Sequence, residues 1–179
     1  MIPEGYSIRR LTLEDAPALA TAYLGNKEHL ARWDPDRPRQ FYTTAGQEAH
    51  IVERLGLEEQ GLFVNYVLVA PDGALVGRAN IQNIVRGTMH GGTLGYWIDR
   101  NHLRRGLAKA AVDFLEEEAL GLGLHRLDAG TMVENVASQR VLEACGYERY
   151  GLAPKLLFIN GAWRDHVLFQ KLLHDEPLT

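Results

Sequence analysis

Two short runs in this chain of 179 residues carry residue types suited to group-transfer chemistry. One is Arg104-Arg105-Gly106-Leu107-Ala108-Lys109; the other is Asn135-Val136-Ala137-Ser138. Amides in the first turn of a helix lack intrahelical partners, and the aligned peptide dipoles place about half a positive charge there. A helix opening near Gly106 therefore points several N–H groups at one spot. Glycine lets a phosphate come close to that backbone, and Arg104, Arg105 and Lys109 surround it with cationic charge. The combination suits a pyrophosphate. It also fits an ordinary helix start with solvated basic residues, because one glycine among arginines is a weak signal. No Gly-x-Gly-x-x-Gly follows a strand and no Gly-Lys-Ser/Thr occurs. Neither a dinucleotide-binding fold nor a nucleoside triphosphatase is supported.

The elements around these runs alternate. Leu94 to Ile98 reads as a strand before the first helix start, Arg126 to Met132 as a strand after that helix, and Ser138 to Cys145 as a second helix closed by Gly146. The helix from Arg104 to about Leu120 places Leu107, Ala111, Phe114, Leu115 and Ala119 on one stripe and Glu116 to Glu118 on a solvated face. Upstream, Tyr6 to Leu11 alternates as a strand, and Thr12 caps a helix that starts near Leu13 and runs to Gly25. A helical turn over Glu28 to Ala31 leads into Trp33-Asp34-Pro35-Asp36-Arg37-Pro38, a loop by its two prolines. Thr44 to Gln60 predicts a helix with Ala49, Val52, Leu55 and Gly56 on its apolar side. Leu62 to Ala70 is a buried strand, turned by Pro71-Asp72-Gly73 into Leu75 to Ile81, and a turn at Arg86-Gly87 leads to a strand over Gly91 to Ile98. The last two strands meet at Asn160-Gly161, a strong hairpin signal, and His174 opens a polar tail. The fold class is α/β with a mixed sheet, and only the strands flanking the Arg104 helix need a parallel crossover.

A hydrophobic content of 46% over this length suits a single domain, residues 1–179. No run approaches a membrane span and Met1 to Gly5 lacks signal-peptide features, so a cytoplasmic protein is expected. Cys145 is the lone cysteine, which excludes a disulfide framework. The net charge of −4 offers no basic footprint for nucleic acid, and the histidines show no metal spacing. No metal, nucleic acid or membrane partner is expected.

Arg105-Gly106-Leu107-Ala108, Asn135-x-x-Ser138 and Leu142-Glu143-Ala144-Cys145-Gly146-Tyr147 together resemble the acyl-CoA signature of the GNAT superfamily of N-acetyltransferases. The resemblance is narrower to the ribosomal-protein N-terminal acetyltransferases of the RimJ/RimL type, the RimJ branch above all. It extends through the Trp33-x-Pro35 loop, Asn83 to Gly87, Leu94-Gly95-Tyr96 and Ile159 to Leu168, nearly the whole chain in order. It implies a GNAT fold whose strand at Leu94 to Ile98 splays from the strand after the helix, with the pantetheine arm of acetyl-CoA in the gap. Backbone groups of Trp97 and Ile98 would then pair with the pantetheine amides, and the turn from Arg104 to Lys109 would hold the pyrophosphate. Asn135 would bond to the pantetheine or fix the strand ends, and Ser138 would lie near the thioester sulfur as the catalytic hydroxyl. Trp33, Arg86, His90 and Tyr96 are the acceptor-side candidates.

The implied reaction is direct acetyl transfer within a ternary complex to a primary amine, foremost the α-amine of a ribosomal protein or other peptide. Acylation of an antibiotic or polyamine, use of another acyl-CoA such as succinyl-CoA, and a non-catalytic CoA-binding regulatory module are the alternatives. The family pattern is broken at several places. Leu103 and Arg104 stand where Gln or Arg and a second glycine are usual, Leu142 replaces a tyrosine acid, and Leu157 replaces a glutamate base. The base is therefore unassigned. Ser138 and Asn135 also fit plain helix-start roles, and Cys145 fits a buried helix-end thiol. Trp33 and Pro35 read equally as a hydrophobic plug, and His90 as an ordinary surface or core group. Asp165 and His166 are adjacent on a strand and face opposite ways. Exposed strands or helices leave a homodimer open.

Overall fold

In the computed structural model, residues 1–176 are described. The chain runs β1 (Ser7–Arg10), α1 (Ala16–Gly25), α2 (Lys27–Leu30), α3 (Thr44–Glu59), β2 (Val64–Val69), β3 (Leu75–Val85), β4 (Gly91–Ile98), α4 (Leu107–Gly121), β5 (Arg126–Met132), α5 (Val136–Ala144), β6 (Glu148–Ile159) and β7 (Ala162–Leu172). The strands form one seven-stranded sheet in the order β1-β2-β3-β4-β5-β7-β6. Every neighbouring pair is antiparallel except β4 and β5, which are parallel, as the crossover through α4 requires. The mixed α/β sheet expected from the sequence is present.

Helices cover both faces, which is why β2 is apolar at nearly every position. Side chains alternate across a strand. Tyr66 and Leu68 join the cluster built on Leu107, Ala111, Leu115 and Ala119 of α4, while Val67 packs with Leu19 and Tyr23 of α1 and Ile51 of α3. The β6–β7 hairpin closes at Asn160 and Gly161, both at positive φ (49° and 71°), the geometry a two-residue turn of this twist demands.

Three local expectations need correction. The inward face of α3 is Gly46, Gln47 and Ile51, whereas Ala49 is exposed and Val52 is 58% exposed. Gln47 can face the core because its side-chain amide donates to the Phe41 carbonyl at 2.6 Å, and Gly46 is needed because a Cβ there would run into the Gln40 carbonyl. Of the three glutamates on α4 only Glu117 is solvated. Glu116 pairs with Lys171 at 2.6 Å, and Glu118 accepts from the Tyr66 hydroxyl. Both helix starts also shift. The first helical residue of α4 is Leu107, because Arg104 and Gly106 hold left-handed φ values of 60° and 79°, and α5 starts earlier, at Val136, capped by Asn135. The tail expected from His174 begins with a residue whose carbonyl bonds to the His125 ring; residues 177–179 lie outside the described part.

Candidate active site

The parallel ladder between β4 and β5 stops early. Gly91, Gly92 and Thr93 pair with Arg126, Leu127 and Asp128, and beyond them the two strands no longer bond to each other. The backbone groups lining the gap follow from the ladders on either side. Asp99 donates its N–H to the Val76 carbonyl at 2.7 Å, so by strand alternation the backbone of Trp97 also faces β3, and that of Tyr96 and Ile98 faces the gap. Likewise Val133 donates to the Asp165 carbonyl at 3.2 Å, which turns the backbone of Gly130 and Met132 toward the gap. The Met132 carbonyl is engaged by the Gln139 side chain at 3.1 Å and the Asn135 N–H at 2.9 Å. Of the two strand residues anticipated, Ile98 therefore offers its backbone to the gap and Trp97 does not. The backbones of Tyr96 and Gly130 face the gap as well.

At the open end of the gap lies the start of α4. Gly106 caps it, its carbonyl accepting from the Ala110 N–H at 3.0 Å, which leaves the amides of Leu107, Ala108 and Lys109 without intrahelical partners. A Cβ at Gly106 would meet nothing nearer than the Pro3 ring at 3.9 Å, so the space over the turn is open. The cationic side chains contribute unequally. Arg105 is tied back to the Tyr6 hydroxyl at 2.9 Å and the Asn101 carbonyl at 3.3 Å, and Lys109 is held by Asp113 at 2.8 Å. Arg104 is exposed and makes no ion pair among the described residues. An anion at this turn would meet backbone donors first and Arg104 next.

The start of α5 stands across the gap. Asn135 accepts from the Ser138 N–H at 3.2 Å, the N-cap role, and this fixes Ser138 in the first turn. The Ser138 Oγ lies 2.9 Å from the Tyr96 hydroxyl, a hydrogen bond that spans from β4 to α5. Burial pushes the Tyr96 phenol up to about 12 against the lowering effect of this bond. It stays protonated at any ordinary pH. Leu142 is fully buried in the core and supplies no proton donor here, and Leu157 is 44% exposed on β6. Cys145 is buried, with its thiol pushed up to about 11 chiefly by that burial, so it is not a thiolate.

The structure divides the acceptor-side candidates: Tyr96 faces Ser138, and the others lie elsewhere. The Trp97 indole donates to the Tyr23 hydroxyl at 3.0 Å, and Tyr23 forms a wall of a cavity of about 280 Å³ that is also lined by Asp34, Pro35, Arg37, Phe41 and Leu30. Trp33 is half-buried beside this cavity's loop but does not line it. Arg86 and His90 are not brought to the site. They sit in the β3–β4 turn, at the closed end of the gap, where Arg86 donates to the Leu122 carbonyl at the end of α4 and the His90 carbonyl accepts from the amides of His125 and Arg126. Among the described residues no cluster of His, Cys, Asp or Glu could hold a metal ion, and no helix is long and apolar enough to cross a membrane.

The Tyr96–Ser138 contact and the cavity residues Asp34 and Arg37 carry no sequence signal. Tyr96 and Ser138 are 42 positions apart, and nothing local announces a contact made across a splayed pair of strands. The arrangement is a slot between strand edges, with a helix start of free amides at its mouth and a hydroxyl pair at its side. It suits an extended donor that carries amides along its arm and phosphates at its end.

The chain is similar to known proteins over most of its length. Residues 7–148 match the model of the acetyltransferase (GNAT) domain. The chain is 32% identical over 173 residues to the probable N-acetyltransferase YjcK of Bacillus subtilis, covering 94% of each chain. It superimposes on the ribosomal-protein-S5-alanine acetyltransferase of Vibrio fischeri with a TM-score of 0.92 at 32% identity, covering 97% of each chain. On Mycobacterium smegmatis RimJ in complex with CoA-disulfide the TM-score is 0.88 at 27% identity, with 93% of this chain and 81% of that one covered.

Proposed function

The chain belongs to the GNAT acetyltransferase family, and on that premise we propose that it moves the acetyl group of acetyl-CoA to the N-terminal α-amine of a protein, a ribosomal protein foremost. The observation that carries the donor half is the β4–β5 ladder ending after three pairs, which leaves a gap whose open end meets a helix with free first amides. The acceptor half rests on the S5-alanine acetyltransferase of Vibrio fischeri, which this chain resembles over almost its full length. We take residues 1–179 as one acetyltransferase domain and the cytoplasm as the compartment this acceptor implies.

The residues fit the donor. Open space over Gly106 admits a pyrophosphate to the amides of Leu107, Ala108 and Lys109, with Arg104 free to close over it. The gap-facing backbone of Tyr96, Ile98 and Gly130 can receive the pantetheine amides as an added strand would. Acetyl-CoA supplies the acetyl group as a thioester. Asn135 holds Ser138 in place, and Ser138 shares a 2.9 Å hydrogen bond with the Tyr96 hydroxyl; in the proposed step Tyr96 is taken as its donor, which turns the serine proton outward, toward the departing sulfur. A gap-facing N–H, of Ile98 or Tyr96, receives the charge that develops on the carbonyl oxygen. The neutral amine attacks, its surplus proton passes to water, and the carbon–sulfur bond breaks as Ser138 hydrogen-bonds the sulfur. No side-chain base is needed for an amine whose ordinary pKa is near 8.

Incubation with acetyl-CoA and peptides beginning with Ala, Ser or Met, beside spermidine and an aminoglycoside, tests this by thiol release and mass spectrometry. Acetylation confined to peptide α-amines is expected. Turnover of the small amines alone would overturn the acceptor.

A further inference from the structure

Gly130 is exposed although β5 lies inside the sheet, between β4 and β7. Side chains alternate along a strand, and its neighbours Leu127 and Ala129 belong to the cluster built on α4 and the α5 residues Leu142 and Cys145. Gly130 therefore points to the other face, where the cluster under α1 and α3 reaches no farther than Trp97 of β4. The proposed holding points of the donor, the starts of α4 and α5, are on the covered face. An amine that attacks a thioester in the gap comes from the side the donor leaves open, the face of Gly130.

One ionisable side chain of β7 stands there. His166 pairs with Met132 of β5 at the open end of the gap, and it faces away from the cluster that its neighbour Val167 joins. Its ring carbon Cδ2 lies 3.9 Å from where a Cβ of Gly130 would be, so the missing side chain leaves the imidazole next to the gap-facing backbone of Gly130. The ring is oriented by its Nδ1, 3.0 Å from the Arg164 carbonyl oxygen. A carbonyl only accepts, so Nδ1 carries the proton and the neutral ring keeps its lone pair on Nε2, the atom bonded to Cδ2. Among the described residues nothing donates to Nε2, and although His166 is only 3% exposed, Nε2 is not sealed from solvent. Asp165 is not its partner, because it accepts the Lys155 N–H at 2.8 Å. A basic nitrogen without a protein partner thus stands one strand back from the gap. Adjacent strands are about 4.8 Å apart, a distance that one water bridges.

We propose that His166 holds the water that takes the surplus proton of the attacking amine, and receives a proton from that water at Nε2. This rests on the acetyl-transfer reading above, which delivers the proton to water, and assigns the residue that positions this water. The lone pair of the neutral amine forms the carbon–nitrogen bond while the carbonyl π pair moves to oxygen. One N–H proton passes to the held water, which gives one of its own to Nε2. The oxygen pair then reforms the carbonyl, and the carbon–sulfur bond breaks with its electrons leaving on the sulfur, hydrogen-bonded by Ser138. The imidazolium returns its proton to solvent, and the thiolate takes one from solvent, so the net products are the amide and the free thiol.

The test compares the full-length wild type, His166→Asn and His166→Ala with acetyl-CoA and a peptide beginning with Ala. Asparagine keeps a donor for the Arg164 carbonyl but has no basic nitrogen. Its kcat should fall about a hundredfold, the lower range for a positioned proton acceptor, while the KM for acetyl-CoA holds. The rise in melting temperature that acetyl-CoA gives should hold as well. His166→Ala should lose as much, and added imidazole, entering by the route of the acceptor, should raise its rate in proportion to the imidazole base present. An unchanged kcat in folded His166→Asn overturns the proposal. A loss of kcat matched by an equal rise in the KM for acetyl-CoA marks a displaced β7 and overturns it too, as does a His166→Ala rate indifferent to imidazole. Turnover of small amines alone by the wild type overturns the peptide acceptor instead, and the same variants measured with such an amine then judge His166 separately.

Discussion

A hydroxyl assists a departing thiolate only when its own proton is aimed at the sulfur. In the proposed transfer that aim comes from the Tyr96 phenol, which keeps its proton up to about pH 12 and so stays able to donate to Ser138. Ser138→Ala should lower kcat about a hundredfold with little change in acetyl-CoA affinity, as titration calorimetry beside steady-state kinetics would read. Tyr96→Phe, which removes only the aiming bond, should lower kcat about tenfold. The pH profile follows from the same groups. The rate with a peptide should climb to a plateau above about pH 8 as the amine loses its proton, and no falling limb should appear below about pH 10. A descending limb near neutrality would point to a titrating acid that the Tyr96–Ser138 pair does not provide. At this scale Ser138 carries a local signal, its place in Asn135-x-x-Ser138, whereas its hydrogen bond to Tyr96 carries none. Arg86 and His90 stand close to the start of β4 in the sequence, but adjacency does not say which end of a strand opens.

Each glycine at the site has an element-level duty. Gly106 is left-handed at φ 79°, where an L side chain costs about 1–2 kcal/mol, and it stands where the phosphates would rest. Gly106→Ala should cost stability in that range while sparing most donor binding, whereas Gly106→Glu should abolish measurable acetyl-CoA binding by adding a carboxylate. Unchanged affinity in Gly106→Glu would remove the helix start from the donor site. Gly77 has a different task. A Cβ there would lie 2.5 Å from the Trp97 carbonyl, so Gly77→Val should push β4 away from β3, lower the melting temperature and raise the KM for acetyl-CoA together. Strands and turns were easily read because period-two patterns and Asn-Gly, Asp-Gly and Arg-Gly signals are local. The bounds of β5 came out unchanged, Arg126–Met132. The face of α3 did not, since Gln47 is buried through a bond to a carbonyl six residues away that no hydropathy pattern encodes.

Stability of the whole molecule rests on the clusters either side of the sheet, and one of them is sensitive to acid. Ile51, wholly buried at the centre of the α1/α3 side, should cost about 2–5 kcal/mol when replaced by Ala. His50 beside it is held down to about 4, first by burial and then by the field of Arg78, Arg54 and Arg37. Its folded value lies below the unfolded 6.5, so the unfolded chain takes up the proton first as pH falls. The contribution is whole above about pH 6.5 and fades toward about pH 4. The melting temperature should therefore drop between about pH 7 and about pH 5, and His50→Phe should flatten that slope. The gap between β4 and β5 has a consequence of its own for the molecule. A sheet interrupted in its middle is two half-sheets, β1 to β4 and β5 to β7, stitched by three residue pairs. A donor lying in that seam mends it, so the amides of Tyr96, Ile98 and Gly130 should exchange with deuterium quickly in the free protein and slowly with acetyl-CoA bound. Because only the folded chain has a seam to mend, the supply of acetyl-CoA also sets how tightly the enzyme holds together. A cell rich in the donor would keep this protein not only busier but longer-lived.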